Sequence, residues 1–317
     1  MYKRQQYQSP TISPNAPVIA GRDITIDFLL NNPTVIASRV ASLANQRLIS
    51  NYIFRAVGGV QGGALIYNRI DSNQVYLTRD VQTIAEAAEI PLVDAAEPAP
   101  LIVTMSKFGG SFEVSDEARR RNNQDVVTQM ETKFTNNMVR RQDTAALASF
   151  ASDPIISAAV SGAGADSTGG TKAAVAAWSD RTNGDPITDI SNAAVIINNR
   201  ELGYEADTVL LNPVDQVKLL QRPDIRTALP REAAPGNPIL NGQMGAFLGL
   251  SWVVSNRVPA GTAYVLQRGV IGGIAEEVPL TMETERVKKR QVEVVYGTRT
   301  TGTFIDNPLA VVRLTGI

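Results

Sequence analysis

The pattern of apolar and polar positions predicts a long extended arm. Four strand-like runs lie between Tyr52 and Met105, and much of this stretch alternates apolar and polar residues, so each strand favours burial of one face only. The runs are Tyr52–Val57, Ala64–Ile70, Gln74–Val81 and Leu101–Met105. A hairpin of this length is marginal in water unless another layer covers its apolar face. We therefore expect the cover to come from elsewhere in the chain or from a second copy.

A long helix is predicted directly after the arm. Ser115 is a suitable N-cap, and Asp116 and Glu117 place carboxylates in the first turn, where they oppose the positive end of the helix dipole. The helix would run for about 35 residues and span roughly 50 Å, so we expect it to be a spine that joins two regions. Arginines inside it exclude a transmembrane span. Its predicted apolar stripe consists of Val127, Met130, Phe134, Met138, Ala145, Leu147 and Phe150.

The remaining segments predict an α+β chain. Pro33 predicts a helix to about Ser50, and Pro186 predicts another to about Leu202. A strand over Asp207–Leu211, the turn Asn212-Pro213 and a helix over Val214–Leu220 follow, as in half of a small α/β layer.

The last third is strand-rich from Leu250 onward, and regular alternation over Gln291–Tyr296 predicts one solvent-exposed and one buried face.

The segment from Ser152 to Asp185 is rich in glycine, alanine and serine. Neither spacing of a phosphate-binding loop is met there, so a flexible surface loop is predicted. The long loop from Gln221 to Asn241, which contains four prolines, is expected to contact another subunit.

Composition excludes most familiar catalytic machinery. The chain has no cysteine and no histidine, which removes disulfides, thiolate nucleophiles, imidazole bases and His-ligated zinc. No catalytic, cofactor or metal residue is predicted, and an enzyme would have to depend on carboxylates. The 30 basic and 31 acidic side chains give a net charge of -1. That balance argues against a dedicated nucleic-acid binder, and it suits the wall of a container whose charged contents must not adhere.

The first 22 residues are polar and contain Pro10, Pro14 and Pro17, so they favour an extended arm or a disordered tail over a helix. No targeting peptide is evident, because Gln5-Gln-Tyr-Gln-Ser-Pro stands where an apolar core would follow the basic start. We expect the chain to stay in the cytoplasm where it is made.

Taken in order, these landmarks resemble the major capsid protein of tailed bacteriophages, whose Hong Kong 97-type fold is shared with encapsulins. The most specific matches are Val209-Leu-Leu-Asn-Pro-Val-Asp-Gln-Val-Lys-Leu-Leu and Leu248-Gly-Leu-Ser-Trp-Val-Val-Ser-Asn-Arg-Val-Pro-Ala-Gly-Thr-Ala-Tyr-Val. A third lies around Asn307-Pro-Leu-Ala-Val-Val. The resemblance covers nearly the whole chain and is weakest over Ser152–Asp185.

The resemblance implies an α+β fold with a named set of regions. They are an N-arm (1–24), the first part of a P-domain (25–59), an E-loop (60–110), the spine helix and glycine-rich loop (111–185), an A-domain (186–265) and the P-domain return (266–317). It implies that the N-arm and E-loop reach a neighbouring subunit, and that the chain assembles into pentamers and hexamers of an icosahedral shell around double-stranded DNA. The expected location is the virion, after assembly in the host cytoplasm.

Two departures from the family limit this inference. Some relatives join subunits through an isopeptide bond from an E-loop lysine, but no lysine lies between Tyr52 and Ser106, so no such crosslink is expected. Some relatives carry a helical scaffolding segment ahead of the arm, whereas here the arm begins at Met1. The expected partners are therefore other copies of the chain, a separate scaffolding protein, a portal protein, a decoration protein and packaged DNA bound without sequence specificity. No membrane is expected.

Charged clusters supply the candidate intersubunit contacts, although such runs are most often solvated surface. The candidates are Arg69, Arg79, Arg119, Arg120, Arg140, Arg222, Arg226, Arg231, Glu232, Lys288, Lys289 and Arg290. The alternatives are an encapsulin-type shell around protein cargo and, more remotely, a carboxylate-dependent enzyme. The proline-spaced Ser9–Pro17 stretch favours the viral arm, because encapsulins usually begin with a helix.

Overall fold

The computed structural model describes residues 26–317 apart from 46–47, 71–80, 87, 93–97, 99, 122–123, 163–166 and 223–245. Helices and strands are mixed along the chain, as the α+β prediction required. The described helices are α1 (Ile26–Asn31), α2 (Pro33–Asn45), α3 (Ser50–Ile53), α4 (Asp116–Arg120), α5 (Gln124–Ser152), α6 (Pro154–Ser157), α7 (Pro186–Asn198) and α8 (Pro213–Leu220). No helix among these residues is long and apolar enough to cross a membrane.

The strands form three sheets. In chain order they are β1 (Arg55–Val57), β2 (Ala64–Asn68), β3 (Pro100–Thr104), β4 (Ser106–Ser115), β5 (Thr171–Ala173), β6 (Thr208–Leu211), β7 (Ala246–Phe247), β8 (Leu250–Val254), β9 (Thr262–Leu266), β10 (Gly272–Val287), β11 (Val292–Ile305) and β12 (Val311–Thr315). The sheet orders are β1-β10-β11-β4, β5-β12-β9-β6-β8-β7 and β2-β3.

The chain divides into two units, and the division falls within α2, β4, α5, β10 and β11. Unit 1 contains residues 1–44, 108–137 and 280–299. Unit 2 contains residues 45–107, 138–279 and 300–317. Helix α5 and the two longest strands therefore contribute residues to both, which agrees with the predicted role of the long helix as a spine.

Unit 1 is held by apolar burial and by ion pairs around α4. Ser115 caps α4 by accepting from the Ala118 N–H, as the sequence predicted. Arg286 pairs with Asp116 at 2.6 Å, and the guanidinium of Arg290 donates to both carboxylate oxygens of Glu113 at 2.7 Å. A bidentate arginine–carboxylate pair also fixes orientation, so these contacts tie α4 and β4 to the turn between β10 and β11.

Unit 2 is built on the six-stranded sheet. Strand β6 pairs in parallel with β8 and antiparallel with β9, and β9 pairs antiparallel with β12. Helix α7 packs on β9 and β12. All four residues of β6 are buried, so the predicted strand, Asn-Pro turn and helix lie at the centre of this core. Asp185 caps α7 and Asn212 caps α8.

The long helix differs from its prediction in two ways. Its first turn is the separate helix α4, which ends at Arg120, and α5 begins only at Gln124; the two residues before α5 lie outside the described part. Ala145 is exposed, whereas the adjacent Ala146 is fully buried. The buried face also holds ionisable and polar groups that an apolar stripe does not reveal.

The boundaries of other elements also differ from the predicted ones. The helix predicted from Pro33 to about Ser50 ends at Asn45, and Tyr52 lies beside Ile53 in α3 instead of in a strand. Within the strand-rich last third, β10 runs without interruption from Gly272 to Val287. The alternation predicted over Gln291–Tyr296 is broken, because Glu293, Val294 and Val295 are all buried; Arg119 pairs with Glu293 at 3.1 Å and makes the burial of its carboxylate tolerable.

The glycine-rich segment is more than a surface loop. It contributes α6 and the sheet strand β5, and it ends at the capping residue Asp185. Trp178 within it is fully buried and donates its indole N–H to Asp189 at 3.1 Å. Small residues are required here, since a Cβ on Gly170 would lie 2.7 Å from the Ile156 Cα.

Close approach of β10 to the end of β11 supplies a stability test. A Cβ on Gly272 would lie 2.1 Å from the Phe304 carbonyl oxygen, whereas the nearest atom to a Cβ on Gly59 is 4.0 Å away. We expect Gly272→Ala to lower the free energy of unfolding by about 2 kcal/mol or more, because backbone must move. Gly59→Ala is the matched control and should change it by less than about 1 kcal/mol. Equal denaturant midpoints for the two variants would contradict the close approach.

Candidate functional site

The feature that stands out in unit 2 is the two-stranded hairpin β2–β3. Its register places Ile66 directly opposite Ile102, between the pairs Leu65–Val103 and Tyr67–Leu101. Ile66 is 67% exposed and Ile102 is 66% exposed. Two large apolar side chains therefore stand side by side on one solvent-exposed face of the hairpin. Neighbouring apolar side chains are seldom left this exposed in a monomeric protein.

The opposite face of the hairpin rests on the chain itself. The ring of Tyr67 lies 4.9 Å from that of Phe304 on β11, and burial raises the pKa of the Tyr67 hydroxyl. Leu65 and Val103, which share this face with Tyr67, are partly buried. Among the described residues, the chain thus covers one face of the hairpin and leaves the isoleucine face open.

Exposed apolar residues continue beyond the two strands. Val81, Ile90 and Leu92 are 86%, 78% and 92% exposed, in parts of the connection outside any strand or helix. The predicted strand over Gln74–Val81 falls largely outside the described residues. A series of apolar side chains this exposed favours a partner that covers it. We call Ile66 and Ile102, together with Val81, Ile90 and Leu92, the hairpin surface.

The base of the hairpin is fixed by Asp306 at the end of β11. Its carboxylate pairs with Arg55, which precedes the hairpin, and its carbonyl accepts from the Ile70 N–H at 2.8 Å, just after β2. Arg69 reaches Asp153 at 3.6 Å. These contacts hold both flanks of β2 to the unit 2 core, so the hairpin projects from a defined root.

A buried carboxylate on α5 holds the segment that leads to this root. Asp143 is 2% exposed and accepts the backbone N–H of Ser50 at 3.0 Å. Since Ile49 has no capping side chain, Asp143 caps α3 from another helix. Burial raises the pKa of Asp143, although the Ser50 N–H and the charge of Arg257 act in the opposite direction.

A second buried carboxylate lies on the unit 1 part of α5. Glu131 is 1% exposed, and its Oε2 lies 3.3 Å from Nη2 of Arg39 on α2. Neither carboxylate oxygen has a hydrogen-bond partner among the described residues. Burial therefore raises the pKa of Glu131, opposed by the charge of Arg39. Sequence periodicity missed Glu131 and Asp143, and their only signal was their spacing on the same face as the apolar stripe.

The candidate charged residues divide into three groups. Arg69, Arg119 and Arg290 form ion pairs within the subunit, with Asp153, Glu293 and Glu113, and Arg222 is buried and donates to the Asp180 carbonyl at 2.7 Å. A second group is exposed: Arg120, Arg140, Lys288 and Lys289. The third group lies outside the described residues: Arg79, Arg226, Arg231 and Glu232. Their roles between subunits stay predictions.

The described residues contain no cluster of acidic side chains suited to a metal ion. The buried Arg200 has a structural role, because it donates to the carbonyls of Gly169 and Leu309 and to the Ser167 hydroxyl. Desolvation lowers its pKa to about 10, which leaves it charged at neutral pH. The described feature best suited to association with another protein is the hairpin surface.

Comparison with known proteins decides the family. Residues 98–314, which exceed half of the chain, match the family described as phage capsid protein. The chain belongs to the phage capsid protein family. It is a structural protein of a viral shell, and its place is the capsid of the virion.

Solved structures show the same fold at low sequence identity. A virus-like particle from Pyrococcus furiosus has a TM-score of 0.57 and 12% identity over 88% of this chain and 97% of that one. The capsid of cyanophage P-SCSP1u has a TM-score of 0.57 and 16% identity over 83% and 86%. A phage-related protein from Bordetella bronchiseptica RB50 has a TM-score of 0.61 and 11% identity over 89% and 96%. The fold is therefore the Hong Kong 97-type capsid fold. No curated protein matches the sequence.

Glu131 gives a test of the buried charge. Its raised pKa means that the folded protein binds the proton more tightly than the unfolded chain, so this stabilisation is complete at acid pH and is lost as pH rises through the folded pKa. We expect Glu131→Gln to raise the free energy of unfolding at pH 8 by roughly 1 kcal/mol, because the amide avoids a buried charge while Arg39, which is 31% exposed, stays solvated.

The measurement is the denaturant midpoint of both proteins from pH 4 to pH 8. The difference between them should grow with pH. Arg39→Gln is the matched control and should be less stable than the wild type at pH 8, because it leaves the Glu131 charge buried and unpaired. A Glu131→Gln variant that is less stable than the wild type at pH 8 would show that the ion pair is stabilising overall and would contradict this account.

Proposed function

We propose that the chain is the major head protein of a tailed double-stranded DNA bacteriophage and that it builds an icosahedral shell from pentamers and hexamers. The hairpin surface carries the proposal, because it presents large apolar side chains that nothing in the described chain covers. In a shell, every copy meets the same neighbours, so one such surface is covered at each subunit contact. The family assignment supplies the kind of assembly, and the hairpin supplies a contact for it.

In this proposal the hairpin and its connection, residues 60–110, form the E-loop, and residues 186–265 form the A-domain. Residues 1–24 would be the N-arm, and the P-domain would combine 25–59, 111–185 and 266–317. The separation of α7, β6 and α8 from the hairpin along the chain supports this scheme. The loop that we expect near the centre of pentamers and hexamers lies outside the described residues.

The proposed partners follow from the same role. Copies of the chain associate with one another, with a portal protein, a separate scaffolding protein and a decoration protein, and assembly takes place in the host cytoplasm. Packaged DNA is contacted without sequence specificity, in keeping with a net charge of -1. We further propose that the protein catalyses no reaction and forms no covalent crosslink.

A protein-filled nanocompartment is the second candidate. The virus-like particle from Pyrococcus furiosus shares the fold of this chain, so a closed shell of this fold is compatible with either kind of content. The contents of purified particles separate the two candidates: double-stranded DNA in particles from infected cells supports the phage head, and a protein cargo without DNA supports the nanocompartment.

The hairpin surface gives a direct test by substitution. We expect Ile66→Lys combined with Ile102→Lys to leave a folded subunit, because both side chains are already exposed, and to reduce the yield of assembled particles by at least tenfold, because charge would be buried at each contact. Sedimentation velocity and electron microscopy measure assembly, and circular dichroism and the thermal midpoint check folding.

The matched control is Ile66→Leu with Ile102→Leu, which keeps the apolar area and should assemble normally. Particles formed at wild-type yield by the double lysine variant would remove the hairpin surface from the subunit contacts. A wild-type chain that stays monomeric even with a scaffolding protein would contradict the proposed function as a whole.

A further inference from the structure

The six-stranded sheet has an open edge at β5. Strand β5 pairs in parallel with β12, and the Arg313 N–H donates to the Gly170 carbonyl while the Ala174 N–H donates to the Thr315 carbonyl. In a parallel pair, alternate residues of the edge strand turn their backbone groups away from the partner strand. Here the outward-facing residues are Thr171 and Ala173.

Among the described residues, the chain covers only the first of these outward residues. The Thr171 N–H donates to the Ala158 carbonyl at 2.8 Å, and the Val160 N–H donates to the Thr171 carbonyl at 2.8 Å. The covering segment then turns away, because Ser161 pairs with Thr168 instead. Among the described residues, no hydrogen-bond partner is found for the outward N–H and carbonyl of Ala173, which is exposed. Among the described residues, the cover of the β5 edge therefore ends at Thr171 and does not reach Ala173.

A pocket of about 430 Å³ lies at this uncovered position. Its walls include Val160, Val195 and Ile196, and Lys172 is the one charged residue that lines it. Val195 on α7 is 50% exposed, and Val175, just past the strand, is 75% exposed. A recess of mixed apolar and polar lining, beside backbone groups that no described residue pairs with, is an arrangement that accepts an extended peptide on a sheet edge.

We propose that this edge binds the N-terminal segment of a neighbouring copy, residues 5–20. No residue of this segment is charged, so none would carry an unpaired charge into a pocket lined almost entirely by uncharged groups. Pro10, Pro14 and Pro17 disfavour a helix and keep the backbone extended. This inference rests on the proposed function, since it requires copies to be held side by side.

The length of the segment is compatible with a contact between copies. Sixteen extended residues span roughly 50 Å at about 3.3 Å each, which is enough to leave one subunit and enter another. Proline cannot donate a backbone hydrogen bond, so the residue that pairs with Ala173 must lie between or after the prolines. Ile19 is two residues past Pro17 and combines a free N–H with an apolar side chain; it is the residue we place at the pocket.

Because the chain has no cysteine, a disulfide between two introduced cysteines forms without competing native thiols. A Val195→Cys chain is mixed with an Ile19→Cys chain, the mixture is assembled into particles, and the particles are oxidised. A disulfide forms only when the two Cα atoms come within about 7 Å. We expect a dimer band on a non-reducing denaturing gel, at least fivefold stronger than with Val217→Cys in place of Val195→Cys. Val217 is a matched control because it is 51% exposed on α8.

A second pair of variants tests the backbone contact itself. In the Val195→Cys chain, Ala173→Pro removes the outward N–H and leaves every bond to β12 in place, whereas Ala173→Ser keeps that N–H. We expect the dimer band to fall at least threefold with the proline and to be unchanged with the serine, at equal thermal midpoints for the two proteins.

Each outcome decides a different question. Particles whose dimer band does not exceed the Val217→Cys control would overturn the binding of this segment at the β5 edge and leave the proposed function intact. A disulfide that forms within single chains carrying both cysteines, without dimers in the mixed particles, would overturn the contact between copies. Failure of every chain to assemble would contradict the proposed function itself.

Discussion

An apolar hairpin face that no described residue covers is the constraint on which the account depends. Packing of Tyr67 on Phe304 uses one side of β2–β3, and a two-stranded sheet has only two sides. Ile66 and Ile102 are left opposite each other on the second side, where exposure to water costs about 25 cal/mol for each Å² of apolar area. A neighbour that covers this face removes the cost, and closed symmetry repeats the gain at every subunit.

The rest of the fold gives that hairpin a firm root. Asp306 fixes both flanks of β2, and Asp143 caps α3 ahead of β1. Asp143 lies on α5 and Asp306 directly follows β11, and both of these elements contribute residues to the two units. The long helix therefore does more than separate two regions, since its buried carboxylates bond or pair with segments distant in sequence. Their charges are costly to bury, and Glu131 shows the cost most plainly because no described residue donates a hydrogen bond to its oxygens.

Sequence pattern predicted those elements whose signals are local. Proline at the first helical position marked α7, the Asn212-Pro213 turn marked the approach to α8, and an apolar run marked β6. It missed features that depend on distant partners. Nothing local distinguishes Glu131 from an exposed glutamate until Arg39 and α2 are placed, and the glycines near β5 were taken for a loop because close backbone contacts leave no periodic trace. The candidate charged residues show the same limit: Arg290 is engaged by Glu113 within its own subunit, which no spacing rule reveals.

The central claim is that a second copy of the chain covers the isoleucine face of the hairpin. Cryo-electron microscopy of assembled wild-type particles, at a resolution that shows side chains, tests it most directly. The account predicts that Ile66 and Ile102 are buried against a neighbouring subunit in pentamers and hexamers alike. A map in which both side chains face solvent in a closed shell would contradict it and would assign the shell contacts to other surfaces.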